Sequence, residues 1–109
     1  MDVTPLIPAG RQIIESYGGG RFRVGGTWLE GAILVFPDRT IRWHVTSIDK
    51  LVPEDLSAVA DAGAAGDVAL LLVGCGARMA LIPPSVRQAM RAAGALVEAM
   101  DTGAACRTY

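Results

Sequence analysis

The chain has 109 residues, the size of one domain, and 51% hydrophobic against 19% charged residues excludes a disordered polymer. Ten basic residues, scattered along the chain, are offset by eleven acidic ones, so a nucleic-acid partner is not expected. Two cysteines are too few for a disulfide framework, residues 1–5 lack the basic and apolar regions of a signal peptide, and the longest apolar run, residues 68–73, is too short to span a bilayer. These readings point to reduced thiols, a cytoplasmic location and a protein that is not integral to a membrane.

Taken in chain order, residues 1–10 hold Pro5, Pro8 and Gly10 and read as an irregular lead-in. Residues 12–17 read as a strand, and Gly18-Gly19-Gly20 as a reversal that needs positive φ. Residues 21–24 alternate charged and apolar, as a half-buried strand does. Gly25-Gly26 turns the chain into a third short strand at 27–30. Gly31 precedes an apolar strand at 32–36, Pro37-Asp38 turns again, and residues 39–45 alternate. In that segment Ile41, Trp43 and Val45 share one face, and Arg42 and His44 the other.

The second half changes character. Pro53-Glu54-Asp55 opens a helix with Leu56, Val59 and Ala60 at helical spacing, closed by Gly63. Residues 68–73 read as a buried strand. Pro83-Pro84-Ser85 starts a helix over 84–93 whose apolar stripe is Val86, Ala89, Met90 and Ala93, with Gly94 in the left-handed closing position. Residues 96–100 form the next strand, and Asp101-Thr102 cap a last helix starting at Gly103.

Strand, helix and strand over 68–100 make a right-handed βαβ crossover with parallel strands. The expectation is a three-layer α/β domain spanning 1–109, with a mixed central β-sheet: antiparallel strands in the first half, the βαβ unit in the second.

Ligands in such sheets gather beyond the carboxyl ends of parallel strands. Two loops leave those ends: Gly74, Cys75, Gly76 and Arg78 on one, Asp101 and Thr102 running into Cys106 and Arg107 on the other. The glycines let backbone approach a ligand, a helix start favours an anion, and the two arginines add charge-assisted hydrogen bonds. Against this, a lone G-x-G is a weak signal, and the plainer reading is a tight turn followed by a capped helix. Cys106 sits near a helix start beside Arg107, a place that can activate a thiol, but no base stands nearby in sequence, and both cysteines read more simply as small hydrophobes. No catalytic residue is singled out. One histidine, His44, and two distant cysteines cannot build a structural zinc site, so no metal and no cofactor is expected. Trp28 and Trp43 read as core residues.

Five segments carry a resemblance: residues 17–22 (Tyr-Gly-Gly-Gly-Arg-Phe), residues 31–37, Trp43, residues 71–76 (Leu-Leu-Val-Gly-Cys-Gly) and residues 101–109 (Asp-Thr-Gly-Ala-Ala-Cys-Arg-Thr-Tyr). Together they resemble a family of small domains of unknown biochemical function that includes the mitochondrial respiratory complex I assembly factor 3 and an adipogenesis-associated cytosolic protein. The resemblance covers nearly the whole chain, and its last segment is the most specific. It implies a three-layer α/β fold around a mixed sheet, no established enzymatic activity, and, for the mitochondrial members, a role in building a membrane complex through other assembly factors. The family commonly has Thr where Cys75 stands, and it continues beyond Tyr109 with further helical sequence.

The expected function is therefore a non-enzymatic protein-interaction or assembly module. Its partner is another protein or a second copy, and contact with a membrane complex is peripheral, through that partner. The alternative is an anion- or small-molecule-binding enzyme using loops 74–78 and 101–107.

Overall fold

The computed structural model describes residues 12–78 and 80–109, and the lead-in expected over residues 1–10 lies outside them. The chain divides into two compact units, Met1–Thr46 and Ser47–Tyr109.

The first unit is a set of short antiparallel strands. β1 (Ile14–Gly18), β2 (Arg21–Val24) and β3 (Thr27–Glu30) form a meander in the order β1-β2-β3, and β4 (Ile33–Val35) pairs with β5 (Thr40–Arg42). The turns follow from glycine: Gly19, Gly20, Gly25 and Gly26 all have positive φ, which side chains with a Cβ rarely adopt. A bulge between Ile14 and Ser16 leaves Glu15 as the extra residue. Its carboxylate accepts the Gly26 N–H and lies 3.8 Å from the Arg23 guanidinium, so it ties the bulge to the next turn. Val24 and Leu29 are buried at the centre of this meander, with Ile14, Phe22 and Ile33 packed against them.

The faces of the meander follow its register. Phe22 sits opposite Tyr17 and Leu29, while Arg23 sits opposite Ser16 and Trp28. Trp28 is 48% exposed, with the Arg21 guanidinium 5.0 Å above its ring. The expectation that Trp28 is core is thus corrected: its cross-strand partner is a charged residue on the open face. Elsewhere in the unit, two buried polar side chains meet. The Thr40 hydroxyl donates to Gln12 Oε1 at 2.8 Å, and the Gln12 N–H donates to the Pro37 carbonyl at 3.0 Å. The ladder of β5 stops at Arg42, yet the alternation read from sequence runs on: Trp43 and Val45 are half-buried, Arg42 and His44 exposed.

The second unit carries the helices and the parallel strands. Two 3-10 turns, Ile48–Lys50 and Pro53–Leu56, lead into α1 (Ser57–Ala64). The Asp55 carboxylate accepts the Val52 N–H at 3.0 Å, a donor that the helix start would otherwise leave unpaired. β6 (Leu70–Gly74), α2 (Pro84–Ala92) and β7 (Leu96–Met100) form the βαβ unit, with β6 and β7 parallel and in register from Leu70↔Leu96 to Gly74↔Met100. α3 (Thr102–Thr108) follows β7 after a single residue.

Both α1 and α2 end in the same way. At α2 the Ala95 N–H reaches the Met90 carbonyl and the Gly94 N–H the Arg91 carbonyl, with Gly94 at φ +95°. At α1 the Asp67 and Gly66 N–H groups reach Ala62 and Gly63, with Gly66 at φ +83°. This is the paired 6→1 and 5→2 closure in which glycine takes the left-handed position. Gly94 therefore plays its expected part, while Gly66, three residues beyond Gly63, closes α1. Gly63 instead lies inside α1, where a Cβ would come within 2.6 Å of the Ala93 carbonyl oxygen, so the missing side chain lets α1 and the end of α2 touch. The core of this unit includes Leu56, Val59, Val86 and Met90, each at most 2% exposed. Complete burial of one such side chain contributes about 1.5–3 kcal/mol.

The class is thus mixed α/β, with antiparallel strands first and a parallel pair joined by a helix second.

Candidate functional site

The carboxyl ends of β6 and β7 bring the two predicted loops together. The ladder continues one bond past β6, as the Cys75 N–H donates to the Met100 carbonyl at 2.8 Å. The next residues clasp reciprocally. Gly76 N–H donates to Thr102 Oγ1 at 2.9 Å, and Thr102 N–H donates to the Gly76 carbonyl at 2.8 Å. Gly76 can turn here because its φ is +87°.

Gly74 explains why α3 sits so close. A Cβ on Gly74 would stand 3.0 Å from Thr102 Cα and 3.3 Å from Thr102 Oγ1, inside ordinary contact distance. Without it, the first turn of α3 closes over the end of β6. Asp101 then caps that turn, its Oδ1 accepting the Ala104 N–H at 2.8 Å while its carbonyl accepts the Ala105 N–H at 3.0 Å. Asp101 is thus the cap and Thr102 the first helical residue, one position earlier than the sequence suggests.

The two cysteines are free thiols, each half-buried. Cys75 Sγ lies 3.6 Å from the Val73 carbonyl and 3.9 Å from that of Ala80, the geometry of a weakly donating S–H. At Cys106, burial pushes the thiol pKa up, and the neighbouring Arg107 charge only partly opposes this. The thiol is therefore held in its protonated form, unlike an activated nucleophile. Arg78 and Arg107 are both exposed. Among the described residues, no group of three or more His, Cys, Asp or Glu side chains is placed to hold a metal ion.

Chemically, the loops form a fastening. The N–H groups of Cys75, Gly76, Thr102 and Ala104 are all engaged within the chain, so these four are not free to cradle an anion. A second feature was not singled out from sequence: a groove of about 230 Å³ lined by Arg87, Gln88, Arg91, Ala95, Leu96 and Val97. The signal for it was the charged face of the 84–92 helix, where Arg87 and Arg91 are spaced one turn apart opposite the apolar stripe.

A small mixed α/β domain in which a βαβ unit is fastened at its carboxyl end to a short capped helix defines the class. The chain belongs to the family described as protein of unknown function DUF498/DUF598, whose model matches residues 14–109. It is 36% identical over 101 residues to an uncharacterized protein of Rhodobacter capsulatus, covering 93% of this chain and 74% of that one. It is 31% identical over 96 residues to NADH dehydrogenase (ubiquinone) 1 alpha subcomplex assembly factor 3 of Xenopus tropicalis, covering 88% of this chain but only 51% of that relative. The chain thus spans about half the length of that assembly factor. Among solved structures, it superposes on a Mth938-like domain from Bordetella pertussis with a TM-score of 0.76 and 28% identity, covering 90% of this chain and 75% of that one. No helix of the described residues is long and apolar enough to cross a membrane.

Proposed function

We propose that this chain is a non-enzymatic protein-interaction module of the assembly-factor kind, acting in the cytoplasm and reaching any membrane complex through its partner. The observation that carries this reading is the state of the loops at the ends of β6 and β7. Where an α/β sheet usually offers donors to a ligand, four N–H groups are already committed to protein acceptors. The Cys106 thiol in the same region is held protonated by burial. Relatives named as complex I assembly factors support the same reading. The test is affinity capture from extract of the source cell with the immobilised chain, followed by co-elution on a sizing column. A partner retained in stoichiometric amount is the expected result, and an empty capture counts against the module.

A second reading rests on one observation, the meeting of loops 74–78 and 101–107, with Arg78 and Arg107 exposed on them. In that reading the loops bind a small anion, with Gly74, Cys75, Gly76, Asp101, Thr102 and Cys106 forming the backing. A thermal-shift screen against phosphates, nucleotides and carboxylates separates the two. A ligand binding only the folded state at a hundredfold over its Kd adds about 2.7 kcal/mol, and loss of that shift in Arg107→Ala would favour the anion site.

A further inference from the structure

We infer that the outer edge of β7, together with the groove beside α2, takes up an extended acidic segment of a partner protein as an added strand. The inference rests on the interaction-module reading above and names its surface.

Backbone direction comes first. The Leu96 N–H donates to the Ala69 carbonyl, and the Met100 carbonyl accepts from Cys75, so the even-numbered residues of β7 direct their backbone groups toward β6. Val97 and Ala99, by alternation, direct theirs the opposite way. β7 pairs with β6 alone among the described strands, so its outward edge has no partner among those strands. Such an edge is a template for another chain's backbone, and strand addition is a recurrent mode of peptide recognition.

Charge supplies the second line. The Arg87 guanidinium donates to the Val97 carbonyl at 2.7 Å, which places a cation on the edge itself. Arg91 lies one helical turn further along α2, and both line the groove. Among the described residues no carboxylate pairs with either arginine. The groove's floor is apolar, with Leu96 57% exposed. Two guanidinium groups with no carboxylate partner among the described residues, set over an apolar floor, match an incoming strand that alternates apolar and acidic side chains. Its carboxylates would draw Arg87 off the Val97 carbonyl and into a charge-assisted pair.

The test is an NMR titration of the full chain with two synthetic decapeptides, one alternating valine and glutamate, the other valine and lysine. The expected result is binding of the glutamate peptide alone. The Val97 and Ala99 amides should shift and become slow to exchange, while those of Leu96, Glu98 and Met100, already directed at β6, change little. Charge reversal at both positions, Arg87→Glu with Arg91→Glu, should weaken binding about tenfold or more while leaving the amide dispersion of the rest of the chain intact. Equal binding of both peptides, no binding, or shifts that spare Val97 and Ala99 would overturn the inference. So would protection of those two amides in the free protein that rises with its concentration, which would assign the edge to a second copy. If the charge-reversed chain still captures the partner that the natural chain captures, the interaction module stands and this surface is wrong. If the natural chain captures nothing, the broader reading fails first.

Discussion

Gly76 and Thr102, 26 residues apart, hold each other twice: a backbone N–H meets a side-chain hydroxyl in one direction, and a backbone N–H meets a carbonyl in the other. The pair joins the end of β6 to the start of α3 through two hydrogen bonds. It also shows why a hydroxyl-bearing residue suits position 102, since the side-chain oxygen accepts the hydrogen bond of an N–H that the turn would otherwise leave to water.

Replacing Thr102 with valine keeps the shape and removes that acceptor. Thr102→Val should lower stability by about 1 kcal/mol, the net worth of one hydrogen bond. Thr102→Ser should keep most of it. Urea unfolding with unchanged slope and a shifted midpoint would report the difference.

Position 63 gives a prediction with a reversed sign. Glycine to alanine inside a helix normally stabilises by about 1 kcal/mol. At Gly63 the new Cβ would fall 2.6 Å from the Ala93 carbonyl oxygen, so α1 and the end of α2 must separate. Gly63→Ala should destabilise by about 1–3 kcal/mol, as overpacking does. Ala64, exposed at the end of the same helix, provides the control: Ala64→Gly should cost no more than its ordinary propensity, about 1 kcal/mol. Thermal melts of the two variants check both signs.

Asp101 tests the cap. Its Oδ1 accepts the Ala104 N–H at 2.8 Å, so Asp101→Ala should cost about 1 kcal/mol. Asp101→Asn, which ranks equally as a cap, should change stability by only a few tenths of a kcal/mol. Denaturant midpoints of both variants distinguish a cap from a residue present for its charge.

Cys106 tests the burial argument by pH. Its pKa is raised above the ordinary thiol value, chiefly by desolvation, with Arg107 acting in the opposite direction. The folded chain therefore holds this proton more tightly than the unfolded chain. The associated stability is complete below the unfolded thiol pKa and is lost as pH rises through the higher folded value. Alkylation of Cys106 by iodoacetamide should accelerate at a higher pH than for a free cysteine, and Arg107→Ala should move that rise higher still. A reaction already fast at neutral pH would contradict the account.

Much of this architecture was legible because glycine and proline mark it. The ranges 21–24, 27–30 and 96–100 match the strands β2, β3 and β7, each bounded by glycine or by a capping aspartate. The two expected strands at 32–36 and 39–45 shrink to three residues each, because apolar patterning reports burial while a ladder needs a partner for every residue. Leu56 is fully buried, as its spacing indicated, but it ends a 3-10 turn and α1 starts one residue later. At the candidate site, the parallel βαβ topology was enough to bring residues 74–76 and 101–102 together. It could not reveal that Gly76 and Thr102 would use up each other's donors, since that depends on register to within one residue. The exposure of Trp28 was hidden for the same reason: the face it occupies is decided by its pairing with Arg23.

The buried contact between Gln12 and Thr40 carries a consequence of its own. An apolar cluster is tolerant, and leucine and valine lose little by sliding to a neighbouring arrangement. A hydroxyl and an amide sealed from water, at 0% and 3% exposure, lose heavily in every arrangement except the one that lets them meet. The pair adds little to adhesion. What it supplies is discrimination: among the many compact ways to collapse a small set of short strands, it penalises all those in which residues 12 and 40 are apart.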